Sequence, residues 1–265
     1  MGSNGRKLSA WGPWVGFLVL AAVTTACGPG GAVKYPEGSI RLAEGSDSDS
    51  LVKRFFPGYG GRFYVVPDRP ESPVMGVIWN PKKPADCFFA GASNRGSWSL
   101  AMSLEGAAQL VTGVSVIDMF AADIRRDGSN DMFIVLEIRS RAAQGDGSQV
   151  RTALYVYELD VKPSLIWYQT LALEGEIESA CKRSDKSYAA EVEYALDEMG
   201  RIESINVKSD LAGTECTGGK GCEHERECLR ARDEADVTLT WDAELRRYVD
   251  KDQEESVLRI PDVSL

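Results

Sequence analysis

The chain has 265 residues, of which 40 are Asp or Glu and 30 are Lys or Arg, and its isoelectric point is near 4.8. So acidic a surface repels phosphate backbones, and the composition therefore disfavours nucleic-acid binding. Hydrophobic residues make up 43% of the chain, which is enough for the core of one domain of ordinary size.

The first 26 residues have the pattern of an export signal. Arg6 and Lys7 precede an apolar run, and small residues end that run immediately before Cys27. The run from Trp11 to Ala26 is shorter than the roughly 20 apolar residues that a bilayer-spanning helix needs. We therefore predict a secretory signal peptide at residues 1–26.

The residues around the predicted cleavage point carry a more specific signal. Thr24-Thr25-Ala26-Cys27 resembles the lipobox of bacterial lipoproteins, with threonine at the first position, where leucine is usual. The resemblance implies that acyl chains such as palmitate on Cys27 anchor the mature protein to a membrane of the cell envelope. Gly28, where an inner-membrane protein usually has Asp, favours the outer membrane. Ordinary signal cleavage and an uncleaved anchor are the alternatives.

Residues 27–50 are rich in Gly, Pro, Ser and Asp, a composition that cannot bury much apolar surface. We therefore expect a lipidated Cys27 followed by a flexible tether. The folded extracytoplasmic domain is then expected to begin near Leu51 and to span residues 51–262.

Residues 123–131 read D-I-R-R-D-G-S-N-D, a spacing that suits oxygen ligands of a cation. Asp123, Asp127 and Asp131 supply carboxylates, and a glycine permits the sharp turn. Arg125 stands at the third position, where its guanidinium has no lone pair to donate to a metal. Ile134 stands where an EF-hand has glutamate, so the loop is not an EF-hand.

The neighbourhood of this loop, residues 118–173, resembles one FG-GAP/VCBS repeat. In that family a D-x-D/N-x-D-G-x-x-D loop leads into an apolar strand of a β-propeller blade, and the resemblance implies a calcium site at Asp123, Asp127 and Asp131. Arg125 leaves two alternatives open. Either calcium binds weakly, or the loop is a metal-free turn in which Arg125 pairs with Asp123 or Asp127.

The rest of the chain has the alternation of β-strands. In residues 188–196 the apolar side chains fall on one face and Glu191 and Glu193 fall on the other. We predict a mainly β domain of antiparallel hairpins, propeller-like or sandwich-like, in which only Glu223–Ala235 could form a short helix. The predicted strands are 132–136, 152–159, 165–173, 188–196, 202–207 and 236–241.

The cysteines favour disulfide bonds, because exported proteins oxidise closely spaced thiols. The predicted strand order brings Cys181 to the same end as the 208–235 connection, so Cys181 can pair with one of Cys216, Cys222 and Cys228, and the other two with each other. Cys87 is then left as a buried free thiol. The alternative is a zinc site of the last three cysteines and His224, whose spacing is unusual for zinc.

No catalytic motif stands out, and we identify no catalytic residue. The chain has one histidine, no G-x-S-x-G elbow and no phosphate-binding glycine loop with a lysine. The sequence is best interpreted as a non-enzymatic module, held at a membrane, that binds a protein or a carbohydrate and needs no cofactor apart from weakly held calcium. The alternative is a small hydrolase that uses carboxylates or a Cys/His metal site. A deep cleft lined by three or more carboxylates would favour the hydrolase.

Overall fold

The computed structural model describes residues 34–66, 74–93, 95–104, 109–142, 146–159, 163–179, 181–218, 222–223 and 225–250. The predicted signal peptide, Cys27, His224 and the end of the predicted domain at 251–262 lie outside these ranges. None of the helical structure in these ranges is long and apolar enough to cross a membrane.

The described residues form one helix and fourteen strands. Their bounds are β1 Ile40–Arg41, β2 Ala43–Glu44, α1 Ser48–Phe55, β3 Gly60–Val65, β4 Val74–Asn80, β5 Lys83–Ser93, β6 Gly96–Met102, β7 Gln109–Ala122, β8 Asp131–Ala142, β9 Asp146–Glu158, β10 Ser164–Ser179, β11 Lys182–Leu196, β12 Ile202–Thr217, β13 Glu227–Asp242 and β14 Arg247–Asp250.

The strands form two open antiparallel sheets within one domain. Sheet A has nine strands in the order β1-β7-β8-β9-β10-β11-β12-β13-β14, so every strand from β7 onward pairs with its neighbour along the chain. Sheet B has five strands in the order β2-β3-β4-β5-β6. The mainly β, antiparallel fold predicted from the sequence is confirmed.

The core explains why some strands are apolar throughout and others alternate. Sheet B packs on one face of β7–β10, where Phe89 contacts Tyr157 and both are buried. The other face of β7–β10 packs against β11–β13, through buried residues such as Phe133 and Val192. Strands β8 and β9 are therefore buried on both faces, as the continuous apolar run at 132–136 predicts. Helix α1 covers the outer face of sheet B with Val52.

The prediction of a flexible tether up to residue 50 is wrong for residues 34–50. Tyr35 packs on Phe120, and its hydroxyl donates a hydrogen bond to the buried carboxylate of Asp118. The Nε of Arg41 also donates to Asp118, at 2.9 Å, and Leu42 is buried. The sequence pattern misled the prediction because Tyr35, Arg41 and Leu42 are isolated residues in a segment that is otherwise rich in Gly and Ser. Packing thus begins by Tyr35 and not at Leu51.

The prediction of a helix at Glu223–Ala235 is also wrong. Residues from Glu227 onward belong to β13, which pairs with β12 over the whole length from Thr217↔Glu227 to Ser204↔Thr240. Ala, Arg and Glu favour helices only weakly, and pairing with a neighbouring strand overrides that preference. The predicted strand at 236–241 is therefore the second half of a longer one.

Candidate functional site

Several turns of sheet A meet at one end of the sheet. They are the β7–β8 loop at 123–130, the β11–β12 turn at 197–201 and the β13–β14 turn at 243–246. Direct hydrogen bonds join the first two, because Ile202 N donates to Ile124 O at 2.9 Å and Arg126 Nε donates to Gly200 O at 3.1 Å. The predicted cation loop is therefore part of a larger cluster.

The acidic side chains of the loop accept hydrogen bonds from the loop's own backbone amides. The two carboxylate oxygens of Asp123 accept hydrogen bonds from the N–H groups of Asp127 at 3.1 Å and Gly128 at 2.9 Å. Asp127 Oδ1 accepts from Ser129 N at 2.8 Å. Gly128 has a φ of +88°, the left-handed conformation that favours glycine. These contacts make a closed turn whose carboxylates serve the backbone.

The guanidinium of Arg125 lies at the centre of the cluster. Its Nη2 is 3.2 Å from Asp127 Oδ2 and 3.3 Å from Asp131 Oδ1, and its Nη1 donates to Glu158 Oε1. The guanidinium carbon also lies 5.6 Å from the ring centre of Trp241, within cation–π range. The arginine therefore meets three carboxylates and one aromatic ring.

These charged groups are buried, so they interact more strongly than the charges of a surface ion pair. The side chain of Asp131 is fully buried and that of Glu158 is 3% exposed, while Arg125 is 17% exposed. Desolvation raises the pKa of Asp131 to about 7, although the charge of Arg125 acts in the opposite direction. For Glu158 desolvation is outweighed by hydrogen bonds from Arg125 and Arg246, and its pKa is lowered. Near neutral pH the cluster thus contains one carboxyl group that takes up or releases a proton.

Sequence reasoning identified Arg125, Asp127 and Asp131 but missed Glu158 and Arg246. Arg246 Nη2 lies 2.6 Å from Glu158 Oε1, so two arginines share one buried carboxylate. Glu158 ends β9 directly after its apolar residues, and a charged residue at that position is the one signal in the sequence that could have identified it. Arg246 comes from a turn 88 residues further along the chain, and nothing local to it indicates the contact.

The residues of the loop do not fit a calcium ion. Calcium needs six to eight oxygen ligands, and here the carboxylates of Asp123 accept backbone amides while Asp127 and Asp131 face a guanidinium. Among the residues that the structure covers, no group of three or more Asp, Glu, His or Cys is arranged to hold a metal ion. The metal-free turn with Arg125 paired to Asp127 is the alternative that this geometry favours.

The four predicted cysteines form two disulfide bonds at the opposite end of sheet A. Cys181 is bonded to Cys222, and Cys216 is bonded to Cys228, its direct neighbour across β12 and β13. The disulfides that we expected from the sequence are therefore present. The zinc alternative is wrong, because all three of its cysteines are bonded to other cysteines. Cys87 is a buried free thiol, and desolvation raises its pKa to about 12.

The disulfides tie the tip of a projection that we call the arm. The arm comprises residues 174–179 of β10, 182–187 of β11, 208–217 of β12 and 227–236 of β13. Every residue of its β13 segment is exposed, and Leu229 is 80% exposed. Core residues end next to it, at Leu173, Tyr188 and Val207. Beyond Leu173 and Tyr188 the arm extends the sheet by six residues, roughly 20 Å.

A groove of about 620 Å³ lies on the face of β11–β13 where the arm begins. It is lined by alanines, Ser209, Lys208 and four carboxylates, at Glu191, Asp210, Glu234 and Asp236. Lys34 is 3.3 Å from Glu191, and Arg232 is 2.8 Å from Asp210 and 3.2 Å from Glu234, so cations already meet three of the four. Three are exposed and Asp210 is half-exposed. This is a solvated charged surface, and it lacks the apolar burial that prepares a carboxyl group for acid catalysis.

The chain matches no protein-family model, no curated protein and no solved structure. The resemblances to a lipobox and to an FG-GAP/VCBS repeat therefore rest on the residues quoted from the sequence.

Proposed function

We propose that this protein is a lipid-anchored binding module of the cell envelope, tethered through Cys27, with the arm as the surface that meets a partner protein. The observation that carries the proposal is the arm itself, a four-stranded extension whose outer strand is exposed throughout and whose tip holds two disulfide bonds. A sheet extended this far beyond its core loses burial. Disulfides that hold it in shape suggest that the shape is used.

The chemistry of the arm favours a protein over a carbohydrate. Its four segments contain no Phe, Tyr or Trp, the side chains on which a sugar ring would stack. They carry instead alternating charged residues, which suit hydrogen bonds and ion pairs with another polypeptide. The role of the arm would be recognition, and the turns around Arg125 would hold the sheet in shape at its other end.

Two experiments test the proposal. Cys27→Ser in cells fed an alkyne analogue of palmitate should remove all labelling of this chain, and the variant should leave the membrane fraction. A photo-crosslinking amino acid at Leu229 should capture a partner from the envelope, whereas the same probe at Arg139, an exposed residue of the central strand β8, should not. Equal capture at both positions, or labelling that survives Cys27→Ser, would contradict it.

A further inference from the structure

Strand β13 has an unpaired edge. On one side it pairs with β12 from Glu227 to Thr240, but on the other β14 pairs only with residues 239–242. Within the part of the chain that the structure describes, residues 227–238 therefore have no neighbouring strand on their outer side. Such an edge presents N–H and C=O groups to any strand that can align with it.

The side chains along this edge carry an ordered charge pattern. Arg230, Arg232, Glu234 and Asp236 alternate along the strand, so they point to the same face of the sheet, and all four are exposed. The basic pair comes first and the acidic pair follows. Read in the opposite direction the pattern is acidic and then basic, so the edge is complementary to itself in an antiparallel arrangement.

We propose that β13 is a self-association surface on which a second copy of this chain adds its own β13, antiparallel, over residues 228–238. In the register that we infer, Arg230 lies opposite Asp236 of the second copy and Arg232 opposite Glu234. The twofold axis passes through Asp233, so each of these pairings occurs twice. The pairing stops at Thr238, because Asp250 of β14 already lies beside Leu239.

Neighbouring registers are less favourable. A shift of two residues in one direction places Arg232 opposite Arg232, and the same shift in the other direction places Glu234 opposite Glu234. On the second face the proposed register sets Leu229 against Val237 and leaves one like-charge contact, at Asp233. Arg232 already pairs with Asp210 at 2.8 Å and Glu234 at 3.2 Å. The contact between Arg230 and Asp236 therefore contributes most to selecting the register.

The register can be tested in cells that produce the full chain. Asp233→Cys places two cysteines directly opposite each other across the twofold axis, with Cα atoms about 5 Å apart, within the range that a disulfide spans. Copper phenanthroline should convert most of this variant to a covalent dimer on a non-reducing gel. In the proposed register residue 232 lies opposite Glu234 of the second copy and not opposite itself. Arg232→Cys should therefore form no covalent dimer on the same gel, and it serves as the matched control.

Charge exchange tests the contacts that carry the proposal. In the Asp233→Cys background, Arg230→Asp should reduce the covalent dimer at least about tenfold, since like charges then face each other. Adding Asp236→Arg to the same chain should restore it. Arg139→Asp makes the same change of charge on a central strand and should leave the yield unchanged. Absence of dimer in Asp233→Cys, whether because another protein, residues 251–265 or nothing covers the edge, would overturn the proposal. Equal dimer in Arg232→Cys, or dimer that persists in Arg230→Asp, would do so too.

Discussion

The guanidinium of Arg125 lies 3.3 Å from the fully buried carboxylate of Asp131, at a position where the loop spacing called for a metal ligand. One fixed positive charge thus meets the carboxylates of Asp127, Asp131 and Glu158, as a bound cation would. The positive charge of the loop belongs to the chain itself. Folding alone therefore brings this charge to the carboxylates, and no metal ion has to bind.

Removing this arginine should destabilise the fold. Arg125→Met leaves Asp131 buried without its partner and costs about 3 kcal/mol, at the lower end for a broken buried pair because Arg246 still holds Glu158. Arg139→Met, which removes an exposed pair with Glu137, should cost less than about 1 kcal/mol. Urea unfolding of both variants measures the difference. Equal losses would show that the cluster around Arg125 has no special role in stability.

The same cluster should make stability depend on pH. The pKa of Asp131 is about 7 in the folded protein and about 4 when unfolded, so the folded state binds the extra proton between these values. Stability is therefore greatest toward the acidic side of this window and falls as the pH rises through it. From pH 5.5 to 7 the loss is about 2 kcal/mol. Glu158, whose pKa is lowered, acts oppositely but only below its unfolded pKa of about 4.3.

Asp131→Asn isolates this effect, because the amide does not titrate. Its free energy of unfolding should stay level between pH 5.5 and 7, while that of the unsubstituted protein declines. The chain contains a single histidine, so few other groups titrate in that window. A decline of the same size in Asp131→Asn would assign the pH dependence to another group.

The bridge at the tip should stabilise the arm locally. Replacing Cys216 and Cys228 by serine together opens a loop of 12 residues, and about 3 kcal/mol of local stability should be lost. Amide hydrogen exchange should then become faster in the arm segments of β12 and β13, while the buried strands β8 and β9 keep their protection. If β8 and β9 exchanged faster to the same degree, the arm would be part of the cooperative core.

A thiol count tests both the disulfides and the lipid. The native protein should expose no reactive thiol, because Cys87 is buried. Denaturation alone should release one thiol, and reduction should release the four cysteines of the two bridges as well. A second thiol in the denatured, unreduced protein would mean that Cys27 carries no lipid.

How far the sequence predicts the fold depends on the residues concerned. Period-two alternation located the centres of β11 and β12, since one face of each strand is buried at Tyr188, Val192 and Val207. The arm was missed because its outer strand is exposed throughout and only Cys216 among its residues is buried, which leaves too little hydrophobic alternation to read. The same lack of contrast hid the paired edge at Ile40–Arg41.

The candidate site was only half visible for a different reason. The spacing of Asp127 and Asp131 around Arg125 is local, and it marked the loop correctly. Glu158 and Arg246 reach the same point from β9 and the β13–β14 turn, so their contact is created by the stacking of hairpin turns at one end of sheet A. Side chains brought together from distant strands leave no spacing that a single sequence can show.

Calcium dependence of thermal unfolding tests whether Arg125 takes the place of a metal ion in the 123–131 loop. The protein should melt at the same temperature in EDTA and in about 5 mM calcium, since a ligand stabilises only the state that it binds. Arg125→Asp, which frees Asp131 and adds a carboxylate, should melt lower in EDTA and recover part of the loss with calcium. If the unsubstituted protein melted several degrees higher with calcium, the loop would hold an ion, and Arg125 would not be its substitute.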